Sequence, residues 1–257
     1  MIETERDGPG MSGPAAGHDG PGRNEAAAGY DGPGMNQAAV GRRPREAAPS
    51  PLAALLTGIA AGVYPPADGH VTVLPQPSPR DAGVLALTAH TVVFADVDPG
   101  WVRRRLPADD LSAPLNPPFL SELTRLTGRR VNSIDMLCFA PALAGPPSTS
   151  LVAAPASGHP RAARARRYRD GVQAWEASGG LVILGRGVAG RWEIAVEVAP
   201  ERRGEGLGRK LAAAARHLIP AGEPLWAQIA PGNSASVRAF LAAGYVPVAA
   251  EALLVRA

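Results

Sequence analysis

The residues with the clearest chemical content run Val196-Glu-Val-Ala-Pro200-Glu-Arg-Arg203-Gly-Glu-Gly206-Leu-Gly208-Arg-Lys-Leu211. A strand-like alternation ends at Val198, and Pro200 breaks it. Gly204, Gly206 and Gly208 then let the backbone turn tightly with no side chains in the way. Because Leu211 to Leu218 continues as an alanine-rich helix, the turn delivers its amides to a helix N-terminus. Unpaired N–H groups and the positive end of the helix dipole attract phosphate there, so the run reads as a pyrophosphate cradle. A dinucleotide fingerprint G-x-G-x-x-G would need glycine where Arg209 stands. A triphosphate-binding loop would need Ser or Thr after its lysine, but Lys210 precedes Leu211. On the glycines alone, a plain glycine-rich turn stays open beside the cradle.

Other residue groups have an ordinary reading next to a chemical one. Glu193 and Glu197 share one face of a strand by period-two alternation, as candidates for proton abstraction or as solvent-facing acids. The run Arg161 to Arg169 holds five arginines in nine positions, which suits a solvated face, an acidic ligand or RNA. Tyr168 and Trp175, seven apart, suit the core contacts of a helix. Trp192 and Trp226 fall in strands where burial is expected, and His90, His159 and His217 have no sequence neighbours that mark them as catalytic. Cys138, the single cysteine, sits in an apolar strand pattern and reads as a buried small hydrophobe.

Two blocks carry a family resemblance. Arg203-Gly-Glu-Gly206-Leu-Gly208 is similar to the R/Q-x-x-G-x-G/A signature of the GNAT superfamily of N-acetyltransferases. Asn233-Ser-Ala-Ser236-Val-Arg-Ala-Phe240-Leu-Ala-Ala-Gly244-Tyr245 resembles that family's N-x-x-[AS] helix and the Gly-Phe/Tyr start of its next strand. The resemblance spans residues 160–257 and implies acetyl-coenzyme A as co-substrate. It places the amides of Arg203, Gly204, Glu205, Gly206, Leu207 and Gly208 on the pyrophosphate, with Val196 and Val198 along the pantetheine. It also implies that the strand carrying these valines splays from its neighbour, and that Asn233 meets the coenzyme arm. Ser236 would lie near the sulfur or bond its own helix backbone. Many members place a tyrosine acid seven residues after the asparagine, where this chain has Phe240; Tyr245 could take that role only with its ring turned inward, and otherwise reads as a core aromatic. Glu193 stands where some relatives carry a catalytic glutamate, and is the expected general base for an amine attacking the thioester. The implied function is N-acetyl transfer to a small-molecule or peptide amine by direct attack in a ternary complex. A non-catalytic acyl-coenzyme A-binding regulatory module is the first alternative, and an RNA-associated regulator the second.

These residues need elements to position them. The fold expected for 160–257 is an α/β acyltransferase fold with a mixed, mostly antiparallel sheet and flanking helices. Helices are expected at 160–176, after Gly208 and at 234–243, and strands at 181–184, 192–198, 225–229, 245–248 and 252–255. A smaller α/β unit is expected over 51–140, with helices near 52–59, 99–106 and 118–126 and strands at 71–74, 83–87, 91–95 and 133–139. Residues 141–159 are rich in Pro, Ala, Ser and Gly and read as a linker between the two. Residues 1–50 repeat Asp-Gly-Pro-Gly at Asp7, Asp19 and Asp31 with few apolar side chains, which predicts a disordered tail, and Met11 and Met35 are possible starts.

Composition bounds the partners. The 257 residues are 46% hydrophobic, enough for a substantial core. A net charge of +3 is too small for a chain dedicated to gripping nucleic acid. One cysteine and five scattered histidines give no zinc-ligand spacing, so no metal is expected. The front of the chain has no signal-type apolar core, and nowhere does an apolar run reach membrane-spanning length, so the expected location is cytoplasmic.

Overall fold

The computed structural model describes residues 48–107, 110–156 and 158–256. The tail expected over 1–50 lies outside these, apart from residues 48–50. Helix α1 (Pro51–Ala60) starts where Ser50 Oγ accepts the Ala53 amide at 3.2 Å and proline occupies the first turn, where a missing N–H costs nothing. Strands β1 (Val71–Leu74), β2 (Ala82–Leu87) and β3 (His90–Phe94) follow, then α2 (Pro99–Arg103) and α3 (Pro117–Thr127). Gly128, in the left-handed region, ends α3.

The remaining elements are β4 (Arg129–Pro141), β5 (Val152–Ala154), α4 (Pro160–Ala165), β6 (Asp170–Ala177), β7 (Gly180–Arg186), β8 (Trp192–Val198), α5 (Leu207–Ala215), β9 (Pro224–Ile229), α6 (Ser234–Ala242) and β10 (Val246–Arg256). All ten strands join one sheet, ordered β1-β3-β2-β10-β4-β9-β8-β7-β6-β5. Pairing is antiparallel except for β1 with β3 and β8 with β9. This is the mixed, mostly antiparallel sheet with flanking helices expected for the C-terminal part, extended across the whole described chain.

Three expectations need correction. The break at 141–159 does not divide the sheet, because β4, from the segment before it, lies between β9 and β10, from the segment after it. The helix expected over 160–176 stops at Ala165, and Asp170–Ala177 is instead a strand. The two short strands expected near the C-terminus are one strand, β10, which pairs with β4 on one side and β2 on the other.

Helices cover both faces of the sheet. On one side α5 and α6 bury Leu207, Leu211 and Phe240 against Ile194, Leu225, Ala227 and Cys138. On the other, α1 packs Leu52, Leu56 and Ile59 over Leu85, Leu137 and Trp226. A third cluster, on the face of β2 and β3 away from α1, joins Val84 and Val93 to Phe119 and Leu123 of α3.

Candidate active site

Strand β8 pairs with β7 along its whole length but with β9 only at Trp192↔Leu225 and Glu193↔Trp226. From Ile194 onward β8 has no strand on its β9 side, while β9 continues its pairing with β4 as far as Ile229. A wedge therefore opens between two parallel strands toward their C-terminal ends. Alternation sends Ile194, Val196 and Val198 to the α5/α6 side and Glu193, Ala195 and Glu197 to the other.

At the open end the chain turns through Pro200–Arg202 into the glycine loop. Gly204 at φ +85° and Gly206 at φ +76° adopt left-handed backbone, which a side chain would strain. Gly206 is the N-cap of α5 and offers no side-chain oxygen. Consequently the amides of Gly204 through Arg209 meet no acceptor within hydrogen-bonding distance among the described residues. A side-chain carbon on Gly208 would lie 3.7 Å from both Val198 and Ala239, so the loop nestles between the end of β8 and α6. Arg202 pairs with Glu205 at 2.8 Å, and Arg203 Nε donates to the Val198 carbonyl at 3.3 Å, bracing the loop from either side. A row of free amides at the N-terminus of a nine-residue helix fits a diphosphate.

The other expected site residues fall out differently. Asn233 caps α6, its Oδ1 accepting the Ser236 amide at 3.1 Å, and both stand on the rim of this helix. Phe240 and Tyr245 stack edge to face at 4.9 Å inside the core. Tyr245 is 2% exposed and donates to the Ala212 carbonyl at 3.2 Å. Burial pushes its hydroxyl pKa well up, so the inward-turned ring is a core tyrosine, and the role of thiolate-protonating acid expected of it is corrected. Cys138 is also buried, with its thiol pushed up to about 12, as a small hydrophobe should be.

Glu193, the expected base, is corrected as well. Its Oε1 accepts from Arg191 Nε at 2.8 Å and from the Val188 amide at 3.2 Å, and its Oε2 accepts from Arg169 Nε at 2.9 Å. Burial alone would raise its pKa, but the charges of Arg191 and Arg169 outweigh it and hold the carboxyl below the usual range. Both oxygens are engaged and proton affinity is low, which is the wrong state for proton abstraction. Arg191 continues the network to Glu251, as a fork at 3.0 and 2.7 Å, and Gln228 donates to Glu251 at 2.6 Å. The cluster ties β8, β9 and β10 together where the wedge begins.

The register exposes a carboxylate that sequence reading passed over. Asp135 on β4 lies opposite Glu251, one residue beyond the last β4–β9 pair, Met136↔Ile229, and so at the wedge's open end. Residue pairing across β4, β9 and β8 puts its side chain on the same face as Gln228 and Glu193. Asp135 is 8% exposed, accepts from Ser133 Oγ at 2.6 Å, and has its pKa raised by desolvation. The only sequence signal was an acid inside the apolar run Ile134 to Phe139. Tyr168 and Trp175 are partly buried, while Asp170 pairs with Arg80 at 3.0 Å on the surface. Arg169 is the one member of the arginine run that turns inward, while Arg161, Arg164, Arg166 and Arg167 stay exposed.

Comparison with known proteins falls on the same segment. Residues 193–252, from Glu193 through the glycine loop and α6 into β10, match the family model for FR47-like proteins. No curated protein matches the chain. Among solved structures, a GCN5-related N-acetyltransferase from Kribbella flavida is 17% identical, with 54% of this chain and 63% of that chain covered and a TM-score of 0.35. A tandem GNAT protein from the clavulanic acid biosynthesis pathway is 16% identical, with 54% and 58% covered and a TM-score of 0.35. An acetyltransferase of the GNAT family from Novosphingobium aromaticivorans is 21% identical, with 51% and 68% covered and a TM-score of 0.32. The chain thus spans less than two thirds of the first two. No helix among the described residues is long and apolar enough to cross a membrane.

Proposed function

We propose that this chain is an N-acetyltransferase that moves an acetyl group from acetyl-coenzyme A to an amine by direct attack. The observation that carries this reading is the row of unpartnered amides, Gly204 through Arg209, at the mouth of the parted strands β8 and β9. The amides would hold the pyrophosphate, and the free edge of β8 beyond Glu193 would pair with the pantetheine amides as an added strand does. Val196 and Val198 would line that arm, with Asn233 and Ser236 at its rim. Asp135 takes the base role in place of Glu193: its raised pKa suits proton acceptance nearer neutrality, and it lies at the open end of the wedge. The thiolate can leave without a protein acid, because a thiol pKa near 8.5 makes it a tolerable leaving group. Among the described residues neither Ser178 nor Ser236, serines near the loop, is hydrogen-bonded to a base, so no covalent intermediate is invoked.

Calorimetric titration with acetyl-coenzyme A tests the cradle. Binding is expected for the intact chain, and Gly206→Val should weaken it at least about tenfold, or about 1.4 kcal/mol, by straining the left-handed position. Absence of uptake by the intact chain removes the proposal. Thiol release with a panel of amines tests the chemistry: Asp135→Asn should lower turnover about 100-fold with coenzyme affinity unchanged. A second reading, a coenzyme-binding module without catalysis, is favoured by the engagement of Glu193 and the burial of Tyr245. Uptake of acetyl-coenzyme A with no thiol release from any amine selects it.

A further inference from the structure

A cavity lies far along the sheet from the wedge, between α1 and the edge formed by β1 and β3. Its volume is about 980 Å3, at the upper end of the about 300–1,000 Å3 of small-molecule pockets. Ala54 and Leu55 of α1 face Leu74 and Val92 across it, and Val63 and Tyr64 stand exposed on its lip. One corner is polar. His90, read from sequence as partnerless, places Nδ1 at 2.9 Å from Asp68 Oδ1 and Nε2 at 2.9 Å from Thr72 Oγ1, and all three residues line the cavity.

Donor counting fixes the direction of this chain of hydrogen bonds. The Asp68 carboxylate also receives the His70 amide at 2.9 Å and, being ionised, can only accept, so the shared proton sits on His90 Nδ1. In the neutral imidazole Nε2 is then a bare acceptor, and the Thr72 hydroxyl must donate to it. The hydroxyl proton is therefore aimed at a base whose tautomer is set by a carboxylate, the arrangement that activates an oxygen nucleophile. His90 is buried, which keeps the ring in place, whereas Thr72 is exposed to the cavity from an edge strand paired only with β3.

We propose that Thr72, His90 and Asp68 form a second, hydrolytic site that cleaves carboxylic esters of apolar acids, with the acyl group lying between α1 and the β1/β3 edge. Thr72 Oγ bonds to the ester carbonyl carbon as its proton passes to His90 Nε2. The bond to the alcohol breaks, and Nε2 returns that proton to the departing oxygen. Water then attacks the Thr72 ester and gives a proton to Nε2; the carbon–Oγ bond breaks, Oγ recovers the proton, and the acid leaves. Ester and water become acid and alcohol, with no oxidant or reductant.

The full chain, without coenzyme, is incubated with p-nitrophenyl butyrate for turnover and with diisopropyl fluorophosphate for trapping, followed by peptide mass mapping. Nitrophenol release above buffer and a phosphoryl adduct on Thr72 are expected. Thr72→Val should cut release at least about 100-fold, Asp68→Asn should cut it by a similar factor, and Thr72→Ser should keep it. The adduct is read on the unmodified chain, so the result does not depend on a variant folding. An adduct elsewhere, no adduct, or release that Thr72→Val leaves unchanged in a chain with the same melting profile overturns the proposal.

Discussion

Glu193 on β8 and Asp135 on β4 share one face of the sheet and are both buried, yet their surroundings pull them in opposite directions. Glu193 sits between two guanidinium groups and stays ionised. Asp135 has a single serine hydroxyl and a register neighbour, Glu251, that is itself acidic. Burial penalises both charges, so the difference is made by who faces them. The arginines go to the closed end of the wedge, where strands must be tied. The open end keeps the carboxylate that can still take up a proton.

The sharpest way to break this contrast is at Arg191, which joins Glu193 to Glu251. Arg191→Met leaves two buried carboxylates short of a partner and should cost about 3–5 kcal/mol in urea unfolding. Replacing the pair together, Arg191→Met with Glu251→Met, should cost clearly less, because only Glu193 then loses a partner and it keeps Arg169, whereas the single variant also strands Glu251. If the double variant is as unstable as the single, the cluster holds the strands by something other than charge pairing.

A smaller effect is expected at Gly187. A side-chain carbon there would collide with the Glu193 carboxyl group, in space the carboxylate already fills. Gly187→Ala should destabilise the chain by about 1–3 kcal/mol through forced displacement of Glu193. Combined with Glu193→Ala the penalty should be well short of additive, since the clash partner is gone; simple additivity in a double-mutant cycle would place the strain elsewhere.

What could be read in the sequence was local. The apolar alternation from Trp192 to Val198 and the glycines at 204, 206 and 208 fix their own backbone conformation, and the turn formed where they stand. The full network of Glu193 could not be read: Arg191 is two residues away, but Arg169, just ahead of β6, was hidden in a run of solvent-facing arginines, and Glu251, which shares Arg191, comes from the distant β10. Nor does anything in Arg129–Pro141 announce that it will insert between β9 and β10: a strand accepts any neighbour whose register matches its buried face. The segment Asp170–Ala177 misled because Tyr168 and Trp175 suit a helix spacing, whereas pairing with β7 makes it a strand, and Gly171 at φ +58° marks the register shift at its start. His90 gained Asp68 and Thr72 only when β1 and β3 lay side by side.

The smallest effect separates the two carboxylates by pH. Because the folded-state pKa of Asp135 is raised, folding favours its protonated form, and that contribution is complete below the unfolded carboxyl pKa and lost as pH rises through the folded value. Glu193 runs the other way: its depressed pKa contributes stability above the unfolded value, lost as pH falls through the folded one. Asp135→Asn, which cannot ionise, should therefore raise the melting midpoint at pH 7, with the gain shrinking toward pH 4, whereas Glu193→Gln should lower the midpoint most at neutral pH and less in acid. Melting curves of both variants across this range check the signs. A gain from Asp135→Asn that grew toward acid pH would mean the carboxyl is stabilised as an anion, which would remove both the contrast with Glu193 and the reason to assign Asp135 as the base.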